Sequence, residues 1–101
     1  MKLTTKQENI LLVIHRNADP GGAHGVTING TRYVSQARIT NDLLLLEPDI
    51  FSYDKAYSAT RQRLARLEKL GLAKRALFGT KVWAVTPKGY EALDAAREVA
   101  R

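Results

Sequence analysis

Apolar and polar positions fall into blocks whose period changes along the chain, and each change marks an element. A polar opening gives way to the apolar run Ile10 to Ile14. Thr5 and Glu8 stand three apart, the spacing of a capping box, so a first helix is predicted from Thr5 to about Arg16. Asp19, Pro20, Gly21, Gly22 and Gly25 break it. Val26 to Val34 then reads as two short extended pieces around Asn29-Gly30, a dipeptide suited to a tight turn, which predicts a small hairpin or one strand and a loop. The glycines do not end in Gly-Lys-Ser/Thr and no helix follows them directly, so this stretch is read as a connector rather than a phosphate-binding loop.

Ser35 is a good N-cap, and Val34 with Ile39 has the spacing of a hydrophobic staple, which predicts a second helix from about Gln36 to a stop before Pro48. Ile39, Leu43 and Leu46 lie at helical spacing on its buried face, with Leu44 or Leu45 left to meet another element. A third helix is predicted over about 53–70, capped by Ser52 or Asp54 and closed by Gly71 in a left-handed conformation. Ala73 to Leu77 and Lys81 to Thr86 read as two strands turning at Phe78-Gly79-Thr80, with Trp83 sharing the inward parity of Val85. Thr86-Pro87 pairs an N-cap with proline at the first helical position, so a fourth helix is predicted over 87–99. The fold class is α+β and mainly α, in a single domain over 1–101.

Composition narrows the chemistry. The 101 residues are 45% hydrophobic and 26% charged, an ordinary globular balance. The longest apolar run, Ile10 to Ile14, is far too short for a signal or membrane-spanning segment, which predicts a cytoplasmic protein without a membrane partner. Cysteine is absent, and the two histidines, His15 and His24, have no co-ligand spacing, so no metal site and no cofactor is predicted. Scattered Ser, Asp and Glu residues without a histidine partner, and no paired carboxylates, argue against an enzyme.

Charge is concentrated in one third of the chain. The net charge is +6, yet residues 55–88 alone hold nine basic side chains and one acid, Glu68, for a local +8. That is the footprint of a surface for polyanions.

The passage Ala59-Thr-Arg-Gln-Arg-Leu64-Ala-Arg-Leu67-Glu-Lys-Leu-Gly71-Leu72-Ala-Lys-Arg75, followed by Trp83-Ala-Val85-Thr86-Pro-Lys-Gly89-Tyr-Glu-Ala-Leu93, resembles the winged helix-turn-helix domain of bacterial MarR-like and PadR-like transcriptional regulators. The resemblance covers residues 52–93 best and is thinner over 35–51. Two departures stand out: the link from Glu47 to Tyr53 is longer than the tight turn usual there, and residues 19–33 exceed a minimal connector. The resemblance implies a three-helix core with the third helix as recognition helix, a β-hairpin wing over about 72–86, and sequence-specific binding of double-stranded DNA by a small regulator, a repressor. The other reading weighed is a winged-helix module binding protein or RNA, or a DNA-reading accessory of a restriction, plasmid or phage system; the charge concentration favours DNA.

At 100° per residue, an inner face through Tyr57, Thr60, Leu64 and Leu67 turns Lys55, Ser58, Ala59, Gln62, Arg66 and Lys69 outward, with Arg61 and Arg63 at the flanks. Lys55, Ser58, Ala59 and Gln62 are predicted to read bases, since small residues allow close approach and glutamine can meet adenine bidentately. Arg61, Arg63, Arg66 and Lys69 are predicted to hold phosphates, helped by Lys74, Arg75, Thr80 and Lys81 of the wing. A homodimer is expected to double a short readout, with Tyr90, Leu93 and part of Ile10 to Ile14 near its interface. The sequence does not identify a small-molecule effector.

Overall fold

The computed structural model describes residues 3–18, 25–50, 52–76 and 81–99, the last three by backbone alone. The turns expected at Asp19 to Gly22 and at Phe78-Gly79-Thr80 lie outside these residues. The elements are α1 (Thr5–Ala18), β1 (Gly25–Ile28), β2 (Thr31–Ser35), α2 (Gln36–Leu46), α3 (Tyr53–Lys69), β3 (Ala73–Arg75), β4 (Val82–Val85) and α4 (Pro87–Val99). The fold is α+β and mainly helical, with an antiparallel sheet in the order β1-β2-β4-β3.

Local chemistry explains most element boundaries. The capping box of α1 uses Thr4 and Gln7, not Thr5 and Glu8: the Gln7 amide donates to Thr4 Oγ1 at 3.1 Å, and the Thr4 amide donates to Gln7 Oε1 at 3.0 Å. Both pairs satisfy the same four-residue pattern, so the pattern alone did not choose between them. At its other end α1 runs past Arg16 to Ala18, because buried Asn17 donates from Nδ2 to the Val13 carbonyl and to Asp42 Oδ2. Arg38 Nε donates to Asn17 Oδ1 at 3.3 Å and completes a polar tie between α1 and α2.

The β1–β2 hairpin turns at Asn29 and Gly30, both with positive φ, as a type I′ turn requires. Ser35 caps α2 by accepting from the Arg38 amide, and Ser52 caps α3 by accepting from the Lys55 amide. Helix α3 ends in a Schellman motif. Gly71, at φ +76°, donates to the Glu68 carbonyl and Leu72 donates to the Leu67 carbonyl, while the Leu67 and Leu72 side chains are both buried. Thr86 then does two jobs with one hydroxyl. It accepts from the Gly89 amide as the cap of α4 and donates to the Gly71 carbonyl at 2.6 Å, fastening the start of α4 to the end of α3.

One core draws on all four helices and the sheet. Ile10, Leu11, Val13 and Ile14 of α1 meet Ile39 and Leu43 of α2, Leu64 and Leu67 of α3, Val34, Leu72, Trp83 and Val85, and Leu93 of α4. Tyr33, Ala76 and Ala84 form a smaller cluster. Two expectations fail here. Leu46 is exposed, because α2 buries Gln36, Ile39, Thr40 and Leu43 instead; Leu45 is exposed as well. Leu93, only 2% exposed, and the buried residues of α1 are taken up by this core, so they are not free to form the expected dimer contact. Tyr90 stays 38% exposed, with its ring edge-to-face against His15 at 5.4 Å.

Gly89 sets how closely α4 approaches. A Cβ at this position would lie 2.1 Å from the Leu72 carbonyl oxygen and 2.7 Å from Val85 Cγ1. Only glycine fits a helix so close to the chain beneath it.

Candidate nucleic-acid interface

The inner face of α3 is Ala56, Thr60, Leu64 and Leu67. Tyr57, expected inside, is half-buried at the edge, where the Lys81 ammonium lies 5.9 Å from its ring centroid and Tyr53 lies 6.1 Å away. The helix is turned by part of a residue step so that the small Ala56 points inward and the large ring reaches the hairpin. Lys55, Ser58, Gln62, Arg66 and Lys69 remain outward and exposed as expected, and Arg61 is exposed at the hairpin flank. Ala59 is half-buried, at the edge of that outward face rather than on it. Lys74, Arg75 and Lys81 are exposed on or beside β3 and β4; Thr80 lies outside the described residues.

Both flanks of α3 carry ion pairs that sequence reasoning did not foresee. On the α2 side, Arg63 grips Glu47 with both guanidinium amines, at 2.6 and 3.0 Å, and Asn9 Nδ2 of α1 adds a bond to Glu47 at 3.3 Å. The hydrogen bond from Arg63 holds the Glu47 carboxyl below its ordinary value, helped by Asn9 and opposed by partial burial. The expectation that Arg63 is available for phosphate meets this pair: its side chain is only 14% exposed, and its fork is already filled. On the hairpin side, Arg75 meets Glu68 at 3.1 and 3.2 Å and lies 5.4 Å from the Trp83 ring centroid. Trp83 is buried, as its strand parity predicts, and its Nε1 donates to Gln36 Oε1 at 3.2 Å. These links span 7 to 47 positions, so no local spacing signals them.

The result is a sorted basic surface. Among the described residues, Lys55, Arg61, Arg66, Lys69, Lys74 and Lys81 form no salt bridge, whereas Arg63 and Arg75 do. Also among the described residues, no group of three or more His, Asp or Glu side chains is placed to hold a metal ion, and no helix is long and apolar enough to cross a membrane. Comparison with known families, with curated proteins and with solved structures finds no match.

Proposed function

We propose that this chain is a winged helix-turn-helix protein that binds double-stranded DNA with sequence preference, as a small transcriptional regulator. The observation that carries the reading is the outward face of α3, where Ser58 and Gln62 stand among Lys55, Arg61, Arg66 and Lys69, all exposed and, among the described residues, without a salt bridge. A solvated helix of ordinary composition mixes both signs. This face carries four basic side chains outside any salt bridge against one exposed acid, Asp54 in the first turn, an excess that suits a surface meeting phosphates. The succession of α2, α3 and the β3–β4 hairpin supports the same reading, with α3 in the major groove and the hairpin as a wing along the backbone.

Roles follow from reach and chemistry. Ser58 and Gln62 are short enough to meet base edges, with Lys55 beside them. Arg61, Arg66 and Lys69 reach phosphates, as do Lys74 and Lys81 from the hairpin. Arg63 is assigned to structure, not to DNA. A homodimer belongs to this reading, because one helix contacts few base pairs and paired half-sites double the readout; of the contacts expected from sequence, Tyr90 is the one still exposed.

Titration against duplex DNA at several salt concentrations tests the reading. Five basic side chains on phosphates give a log-log slope of about −4 to −5 for each chain bound, and about twice that for a homodimer on paired half-sites. Absence of measurable affinity for any duplex at low salt overturns it.

A further inference from the structure

The two acids at the flanks of α3 hold their arginines on different terms. Glu47 and Arg63 are 20% and 14% exposed, joined at 2.6 Å and backed by Asn9. Taking either partner from such a pair strands a charge away from water. Glu68 and Arg75 are 37% and 58% exposed and meet at 3.1 Å. Water competes with a pair so exposed, and little is lost when it opens. A phosphate offers the guanidinium fork the same two-oxygen geometry that a carboxylate does. Arg75 also rests against the ring of Trp83, which orients its guanidinium independently of Glu68.

We propose that Glu68 is an exchangeable counter-ion: in the free protein it holds Arg75, and on binding it yields Arg75 to a DNA phosphate, while Arg63 stays with Glu47. This inference rests on the DNA-binding reading above and assigns Glu68 a role within it. The exchange leaves the Glu68 carboxylate unpaired beside a phosphate, so every duplex is bound more weakly than the basic face alone would bind it. Because the contact is to the backbone, it carries no sequence information, and the weakening is the same for preferred and random DNA. Glu68 thereby sets overall affinity without choosing the site.

The test is a double-mutant cycle on the full chain, with Glu68→Gln, Arg75→Ala and the double variant titrated against a preferred and a random duplex at several salt concentrations. Glu68→Gln should tighten both complexes by the same factor, roughly threefold to tenfold. Arg75→Ala should weaken both and reduce the salt slope by about one unit. The gain from Glu68→Gln should shrink in the Arg75→Ala background to what repulsion between a bare carboxylate and phosphate alone supplies. Unchanged or weaker binding by Glu68→Gln, with wild-type binding intact, overturns the exchange and makes Arg75 a fixed clamp like Arg63. A gain that survives undiminished without Arg75 overturns it too, since Glu68 would then act only as a bare charge. Failure of the wild type to bind any duplex overturns the DNA reading itself, and the inference with it. Circular dichroism melting of each variant checks the fold, and Glu68→Ala repeats the test should Glu68→Gln unfold.

Discussion

Gln62 and Arg66 sit four positions apart on the same exposed side of α3, yet they are suited to different parts of a duplex. The Gln62 amide can donate and accept at once, which matches adenine, while the longer Arg66 guanidinium donates only and meets any phosphate. Gln62→Ala should cost about 1–3 kcal/mol on the preferred site and leave random DNA nearly unaffected. Arg66→Ala should weaken both and lower the salt slope by about one unit. Titrating both variants on both duplexes checks the division; equal losses on the two duplexes for Gln62→Ala would refute a base-reading role. Glu47 gives a prediction of another kind. Native Glu47 binds a proton less readily than an unfolded glutamate, whose ordinary value is 4.5. The stabilisation from its depressed value is therefore fully present above about pH 4.5 and is lost as pH falls through the native value. Glu47→Gln should cost about 2 kcal/mol at neutral pH, between the figures for exposed and buried pairs, and less in acid. Urea unfolding of both proteins at neutral pH and at about pH 3 measures whether that gap narrows.

Between elements, two glycines near one seam separate steric from conformational cost. Helix propensity alone favours alanine over glycine inside α4 by about 1 kcal/mol. The 2.1 Å approach to the Leu72 carbonyl reverses that sign at Gly89, because backbone cannot move aside as a flexible side chain can. Gly89→Ala should lose at least about 2–3 kcal/mol. Gly71→Ala should lose only about 1–2 kcal/mol, since an added Cβ has room there and only the positive φ is penalised. Thermal unfolding should rank them in that order. The elements themselves were largely legible in the sequence because their signals are local: Ser35, Ser52, Asn29-Gly30, Gly71 and Thr86-Pro87 each act within a few residues of where they stand. The capping pair of α1 was misread because Thr4-x-x-Gln7 and Thr5-x-x-Glu8 are equivalent as text. The α3 surface was legible where periodicity decides it, at Ser58, Gln62 and Arg66. It was not legible at Tyr57 and Arg63, whose settings depend on the hairpin and on the end of α2. Hydrophobicity put the tyrosine ring inward, whereas packing against neighbouring elements favoured Ala56. No pattern along the chain announces that Glu47, sixteen positions away, fills the Arg63 fork.

For the molecule as a whole, the core takes nearly all the apolar surface that a dimer was expected to share. Ile10, Leu11, Val13, Ile14 and Leu93 are all inside. A homodimer must therefore use the outside of the helices, with Tyr90 among its contacts, and should be weaker than one built on an apolar seam. Light scattering at micromolar concentration should give about twice the 11.2 kDa chain mass. A mass equal to one chain would defeat the dimer and leave DNA binding as a monomer's property.

Trp83 has an optical consequence. It is the chain's single tryptophan, it is buried at the seam of α2 and the hairpin, and a guanidinium rests against its ring. All indole emission therefore comes from one place, and that place adjoins Arg75. Charge beside an excited indole shifts its emission, so a change in the Arg75 acceptor should register as a change of colour or intensity, without a dye and without altering a residue. The protein carries its own fluorescent gauge of the state of its hairpin.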